Sequence, residues 1–480
     1  MAIKLKACSI LSTRGDNTVR VATALVLCGV FSFNCWGQGL KLEVTSRFRF
    51  ERWDFFEVPN VDNRYTFWSS FLRLGVSEQR EWSEGKLELA QVTLISVPQK
   101  AIIPTHGAAY WETNGRRDGS LFVKQLFWQF RNKGENSLLK LGRFEFAEGA
   151  EREPSNPTVR WLRFNRVQGR LLGTFDFHIG RSFDGFVFSL ERHKDFFTLA
   201  LFRPTKGVFD LRGNDQLTEV TVGYASWVHS PDPKTDFRIF ALYFRDARKP
   251  PKVIKLDNRP INVRRDDTKP ISILTLGTHL LRAVPDNDGE IDFLGWAAIQ
   301  FGDWGQLKHR ALAVASEMGR KWGKPCQVWL RFGASLSTGD GNPHDRYHKT
   351  FFQPLPSPTV HSSLPVYNMM NTRELFAHLM VRPRDRLNLK LGFHRLWLSR
   401  KSDFWYSGGG AFNNESFGYF GLKGFGRRLM DILELGLNYQ PDELTNISLH
   451  LFKAWGKESV RANFPKTNAT YAYLELLRQW

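Results

Sequence analysis

Apolar and polar side chains alternate strictly in stretches of about ten residues that recur between Leu40 and Trp480. The clearest stretch is 387–394, where Leu, Leu, Leu and Phe alternate with Asn, Lys, Gly and His. Successive side chains of a strand point to opposite faces, so one face can meet lipid while the other meets a wet lumen. No apolar run is long enough for a membrane-spanning helix. The pattern predicts an all-β fold, a transmembrane antiparallel up-and-down β-barrel.

The same alternation, bounded by turn residues, predicts about eighteen strands. The predicted strands lie near 41–53, 65–77, 86–97, 121–131, 137–145, 171–179, 185–193, 196–203, 217–228, 236–246, 271–282, 290–301, 308–319, 326–338, 372–381, 386–398, 429–440, 445–455 and 469–480. Segments rich in Gly, Pro, Asn and charge predict long extracellular loops or lumen plugs at 98–120, 146–165, 246–270, 339–371 and 399–428. We therefore expect residues 38–480 to form one outer-membrane barrel without a separate soluble domain.

The N-terminal segment predicts export. Four basic residues precede a short apolar core over 21–33, which is too short to cross a bilayer as a helix. Residues 1–37 are predicted to be a signal peptide that is cleaved after Gly37. Of the four cysteines only Cys326 would then remain, which excludes a disulfide within the mature chain.

Charge and aromatic content refine the picture. The formal charge is +19, and removal of the signal peptide with its net +3 leaves about +16, which favours anionic partners. An exported barrel meets outer-membrane lipid and lipopolysaccharide outside and anionic solutes inside, so we expect no nucleic-acid partner. Sixteen Trp, eleven Tyr and forty Phe suit the aromatic girdles of two membrane interfaces. The aromatic Trp480 is typical of strands read by the barrel assembly machinery.

Basic residues on the lumen-facing parity are the candidates for a solute path. Arginine suits carboxylate solutes because its guanidinium is always charged and presents a planar fork. An Arg or Lys on the lipid face at mid-membrane would cost about 2–4 kcal/mol, which supports the inward assignment. The residues chosen by parity are Arg47, Arg49, Arg73, Arg331 and Lys390. The alternative for each is a structural ion pair with a carboxylate across the strands.

Three short motifs occur in order: 141–145 (LGRFE), 181–185 (RSFDG) and 337–340 (STGD), the last followed by 350–356 (TFFQPLP). In their order and spacing these motifs resemble the alginate export family of outer-membrane barrels. The resemblance implies an eighteen-stranded monomer in the cell outer membrane. It also implies a basic lumen that passes anionic polysaccharide outward, with loops that can plug either mouth.

The motifs add further candidate residues. Arg143 joins the lumen cations through the first motif, although it shares its parity with Leu139 and Leu141. The remaining motif residues are expected to shape the backbone, the second motif forming the turn of a hairpin and the third a loop or a cation site. These structural candidates are Gly142, Arg181, Asp184, Gly185, Gly339 and Asp340.

Three functions stay open. The first is a passive, charge-selective channel for an alginate-like polysaccharide, working with periplasmic secretion partners. The second is an uptake porin for small acidic or sugar solutes, and the third is a plugged barrel whose loops bind glycan. No constellation of nucleophile and base stands out, and the His344/His348 pair lies in a loop without useful ligand spacing. We therefore expect no enzyme activity, no cofactor and no metal site.

Overall fold

The computed structural model of the protein describes residues 39–323, 326–357 and 361–480. Nineteen strands of these residues form one sheet, and eighteen of them, all but the two-residue strand Tyr347–His348, make the wall of a closed antiparallel barrel. The wall strands of the first half are β1 (Leu40–Asp54), β2 (Arg64–Gln79), β3 (Ser83–Ile95), β4 (Gly119–Asn132), β5 (Ser137–Phe144), β6 (Phe183–Arg192), β7 (Asp195–Pro204), β8 (Val220–Asp232) and β9 (Thr235–Asp246). Those of the second half are β10 (Ile271–Asp286), β11 (Gly289–Trp304), β12 (Leu307–Trp322), β13 (Gln327–Ser337), β15 (Thr372–Arg384), β16 (Leu387–Leu398), β19 (Arg428–Asp442), β20 (Thr445–Gly456) and β21 (Asn468–Gln479).

The connections between wall strands carry the shorter elements. These are the strands β14 (Tyr347–His348), β17 (Phe404–Gly408) and β18 (Tyr419–Lys423), the α-helices His106–Asn114, Pro157–Leu162, Ile261–Arg265 and Glu458–Arg461, and a π-helical turn Arg163–Val167. No helix of the described residues is long and apolar enough to cross a membrane. Cys326 is a free cysteine.

The first and last strands close the barrel. β1 pairs antiparallel with β21 over a register that runs from Thr45 opposite Gln479 to Asp54 opposite Thr470. The backbone groups of Val44 and Trp480 bond each other in both directions at the end of this seam. Closure pairs the backbone groups of every wall strand with neighbours on both sides, as hydrocarbon surroundings demand.

Short and long connections segregate to opposite ends of the barrel. At one end, hairpins turn within a few residues at 133–136, 193–194, 233–234 and 287–288. At the other end lie the long connections 96–118, 145–182, 247–270, 338–371 and 399–427. In outer-membrane barrels the short turns are periplasmic and the longer loops extracellular, which orients the wall.

The two faces of the wall follow the predicted alternation. On β16, Leu389, Leu391 and Phe393 are 37%, 41% and 40% exposed, whereas His394 on the alternate parity is fully buried. The exposed leucines and phenylalanines face outward, where lipid covers them, and the buried polar residues face the lumen. This confirms the period-two interpretation.

The predicted strand at 171–179 is wrong. These residues belong to the connection 145–182, which folds into the lumen. Leu171, Leu172 and Ile179 are fully buried there, and Leu172 forms an isolated bridge with Leu355 of another inserted connection. The apolar residues of this segment pack against the inside of the wall instead of facing lipid, so they mimic a strand pattern without wall pairing.

The connections fill the lumen with packed side chains. The Trp161 ring lies 4.5 Å from the Trp329 ring of β13, and Phe352 lies 5.1 Å from Trp304 of β11. The interior clusters combine wall and loop residues that are almost fully buried. The state described is therefore a barrel whose lumen is occupied by its own loops.

Candidate functional site

Arg47 and Arg49 lie on the inner face of β1, as their parity predicts. Arg47 places Nη2 at 2.9 Å from Asp176 Oδ1 and donates a second bond of 2.7 Å to the His178 carbonyl. Arg49 Nη2 lies 2.6 Å from Glu475 Oε2 on the neighbouring β21, and its guanidinium is 4.5 Å from the centre of the Tyr473 ring. Both cations point inward, and both are paired.

Arg73 lies at the centre of a second inward group. Its Nη2 is 2.6 Å from Glu88 Oε1 on β3 and 2.8 Å from Glu145 Oε2, just beyond the end of β5. Lys124, a fully buried residue of β4, holds Nζ at 3.2 Å from Glu145 Oε1 and donates to the Ile179 carbonyl at 3.0 Å. Two wall cations therefore share one carboxylate of the inserted connection.

Arg331 and Lys390 also face the lumen. Arg331 is fully buried between Asp292 and Glu317, with Nη2 at 2.8 Å from Glu317 Oε2. Lys390 forms an ion pair with Glu434 of the adjacent β19. The partners of these two cations belong to the wall itself, so here the cross-strand alternative fits the geometry.

The six inward cations described above fall into two groups. The loop-paired cations, Arg47, Arg73 and Lys124, bind carboxylates of the connection 145–182. The wall-paired cations, Arg49, Arg331 and Lys390, bind carboxylates of neighbouring strands. If the connection moved, the loop-paired cations would lose a carboxylate partner, as would Arg238 of β9, which pairs with Glu148 and Glu151 of the connection. The wall-paired cations would not.

The expectation that Arg143 lies in the lumen is wrong. Arg143 stands opposite the exposed Leu126 and shares the outward parity of Leu141, which is 42% exposed. Its guanidinium donates hydrogen bonds of 2.7 and 2.8 Å to the two carboxylate oxygens of Asp184 and one of 2.9 Å to the Asn214 carbonyl. Arg143 therefore binds the connection 205–219 on the outer side of the wall. The short motif itself gives no sign of this contact.

The second motif does not form the turn of a hairpin. Asp184 and Gly185 lie inside β6, whose hairpin turn is at 193–194. Arg181 is fully buried ahead of that strand and donates to the carbonyls of Gly409 and Ala411 in the connection 399–427. A Cβ on Gly185 would lie 2.2 Å from the Leu201 carbonyl oxygen, so close strand pairing explains the glycine.

The other motif glycines also mark close contacts. Gly142 has a φ of 122°, and a Cβ there would lie 2.3 Å from the Leu126 carbonyl oxygen. A Cβ on Gly339 would lie 1.8 Å from Asn371 Oδ1. Asp340 is buried and donates its backbone N–H to Asp403 Oδ2 at 2.8 Å. The contact of Gly142 is one of close strand pairing, and those of Gly339 and Asp340 are of loop geometry.

Strand parity does not identify Lys124 as an inward-facing residue, because a β-bulge lies beside it. The register between β3 and β4 shifts at this point, with Glu88 opposite Gln125 but Leu89 opposite Val123. Lys124 is the extra residue, so Lys124 and Gln125 are both buried although they are neighbours in sequence. A lysine within the apolar run 121–127 was the one signal that could have pointed to it.

The structure also assembles two histidine–carboxylate groups that sequence spacing did not show. The first is Glu51 with His106 and His178, and the second is His378 with His394 and Glu434; each offers three ligand atoms within 4.8 Å of one another. Burial lowers the pKa of His178 to about 4, so its ring is neutral at pH 7 and Nε2–H donates to Glu51 Oε1 at 2.7 Å. In the first group His106 of the connection 96–118 and His178 of the connection 145–182 both bond to Glu51 of β1. The group therefore anchors these two connections to the wall.

The closed wall, the segregated turns and the cation-lined, loop-filled lumen define an outer-membrane channel barrel. Solved outer-membrane barrels share the fold, and each of the following aligns with 92% of this chain. Acinetobacter baumannii OccAB4 has a TM-score of 0.58 and 9% sequence identity, with 99% of its own chain covered. Pseudomonas aeruginosa OccK9 has a TM-score of 0.59 and 10% identity, and Pseudomonas aeruginosa opdK has a TM-score of 0.55 and 11% identity, each with 98% of its own chain covered. The sequence model described as Alginate export matches residues 122–453. The chain therefore belongs to the alginate export family, in agreement with the motifs, and its place is the outer membrane. No curated protein matches it. Family and fold are those of channels and not of enzymes.

Proposed function

We propose that the protein is a passive, anion-selective channel for an acidic polysaccharide, opened when the connection 145–182 leaves the inner wall. The family membership supports a polysaccharide cargo. The overall charge of +19 supports an anionic one.

One observation carries the proposal: carboxylates of an inserted loop occupy wall cations in the way that uronate carboxylates would. Asp176 lies 2.9 Å from Arg47, and Glu145 lies 2.8 Å from Arg73 and 3.2 Å from Lys124. A guanidinium that binds a loop carboxylate offers the same fork to a solute carboxylate once the loop is displaced.

The arrangement suits transport better than tight binding. A polymer must enter and leave, so several replaceable sites serve conduction better than one strong site. The wall-paired cations keep their own carboxylates in either state and hold the strands in register. The barrel contains no motor in its described residues, so the polymer's own concentration gradient supplies the driving force.

Planar-bilayer recording of the purified protein tests the proposal. Under a KCl gradient we expect a reversal potential that reports anion preference, and we expect oligouronate to block the current at concentrations where a neutral oligosaccharide does not. The double variant Arg47→Gln/Arg73→Gln should lose both effects. The matched control is Arg203→Gln/Arg245→Gln, which removes two exposed, outward-facing cations of β7 and β9.

The outcomes separate the candidate functions. Cation preference, or selectivity unchanged by the inner double variant, would overturn the anion channel. Conduction of small acids without block by oligouronate would favour the uptake porin. The packed lumen also fits the third function, a plugged barrel whose loops bind glycan. Zero conductance with retained glycan binding would favour it.

A further inference from the structure

A groove on the outer surface of the wall combines an apolar floor with a basic rim. It has a volume of about 1120 Å³ and lies across β12, β13, β15, β16 and the start of β19. Pockets for small molecules span about 300–1,000 Å³, so this groove has room for a larger ligand. Its apolar lining includes Val314, Leu336, Leu375, Trp397 and Phe425.

Strand register places the groove on the lipid side. Leu336 stands opposite Arg373, Arg373 opposite Trp397, and Trp397 opposite Arg428, so these four residues form one lateral row across four strands. Leu375, on the same parity as Arg373, is 53% exposed. The row faces away from the lumen, where the alternate residue Glu374 is buried.

The groove lies at the extracellular end of the wall. Its lateral row falls at the ends of β13 and β16 and the beginnings of β15 and β19, which all border long connections. Phe425, in the connection 399–427, is 54% exposed beside the row. This height corresponds to the outer leaflet and its headgroups.

The rim carries positive charge that the protein does not neutralise. Arg373, Lys401, Arg427 and Arg428 line the groove, and none of them forms an ion pair with another described residue. Two acidic residues line the groove: Glu374, whose carboxylate turns inward to His361 and Tyr367, and Glu458. The Glu458 carboxylate accepts the backbone N–H groups of Arg427 and Arg428 at 3.1 and 3.4 Å. The six lumen cations grouped above, in contrast, each have a carboxylate partner.

We propose that this groove binds one phosphorylated lipid of the outer leaflet. An acyl chain lies on the apolar floor, and the phosphate groups meet the rim cations Arg373, Arg427 and Arg428. Guanidinium groups bind phosphate through paired, charge-assisted hydrogen bonds, and a lipid supplies both chemistries in one molecule. Lipid binding in this groove is independent of what passes through the lumen.

Native mass spectrometry of the detergent-purified full chain, titrated with lipid A, tests the proposal. We expect one retained lipid A on the wild type and binding at least tenfold weaker for Arg427→Gln/Arg428→Gln. Phe425→Ala should weaken binding several-fold by removing apolar contact. The control Arg203→Gln/Arg245→Gln removes two exposed outward cations on another sector of the wall and should bind like the wild type.

Further probes define the chemistry. Dephosphorylated lipid A should bind as weakly as lipid A binds the rim variant, and inorganic phosphate alone should not be retained. Equal lipid A binding by the wild type and the rim variant would overturn the proposal, as would equal weakening by the control. Heat-dependent gel mobility of each variant establishes that its barrel is folded before binding is compared.

Discussion

Removal of one loop carboxylate should favour the open channel. In Asp176→Asn the side chain keeps its size but loses the charge that pairs with Arg47 Nη2 at 2.9 Å. Arg47 still donates to the His178 carbonyl, so the change isolates the ion pair. The connection 145–182 is then held less firmly against the wall.

The magnitude follows from the contact. A hydrogen bond to a charged group contributes about 1.5–3 kcal/mol. The Asp176 side chain is 36% exposed, and solvent screening places this pair at the lower end. A loss of about 1.5 kcal/mol corresponds to about a tenfold rise in the ratio of open to closed channels.

Single-channel recording measures that ratio as open probability. Asp303→Asn is the control, because Asp303 pairs with Lys308 at 2.8 Å in an exposed hairpin outside the lumen. We expect Asp176→Asn to open about ten times more often than the wild type, with stronger anion preference, and Asp303→Asn to match the wild type. Equal open probability in all three proteins would refute the role of the loop carboxylate.

Three further predictions concern stability. Arg331→Met leaves the buried Asp292 without its guanidinium, whereas Glu317 keeps an ion pair with Arg166 at 3.3 Å. The change should cost about 3–5 kcal/mol and lower the temperature at which gel mobility changes, and an unchanged transition would contradict the burial of this pair. Gly185→Ala forces a Cβ against the Leu201 carbonyl oxygen and should destabilise the barrel by about 1–3 kcal/mol in the same assay, whereas tolerance would mean that β6 and β7 can separate. Burial raises the pKa of Asp403 to about 6. The folded state therefore binds a proton between about pH 4 and 6 that the unfolded state releases, and stability should fall as the pH rises through this window. Asp403→Asn should lose that dependence in thermal unfolding followed against pH, and a retained slope would assign it to another group.

The wall was predictable because its physics is local. Each strand must divide its side chains between lipid and lumen, so the period of two is written into every segment and eighteen of the predicted strands match wall strands. The segment 171–179 resembles a wall strand in sequence because apolar residues that pack inside a lumen have the same pattern as residues that meet lipid. Periodicity reports burial on one face and does not report what covers that face.

The candidate site was predictable only in part. Parity placed Arg47, Arg73 and Arg331 on the inner face, but it could not show which carboxylates meet them, because Asp176 and Glu145 arrive from a connection distant in sequence. The bulge at Lys124 breaks the alternation on which the argument depends. Arg143 follows the outward parity of Leu139 and Leu141, and its place in a motif carries no information on which face it occupies.

The inserted connection 145–182 begins and ends at two neighbouring wall strands, β5 and β6. β5 is the shortest wall strand, and it pairs with β6 until Phe144 stands opposite Phe183, where the connection begins and ends. Both of its anchor points therefore stay fixed by strand pairing whatever the intervening chain does. The length and chemistry of this insert can therefore change during evolution to suit a new cargo. Such a change leaves the pairing of every wall strand as it is.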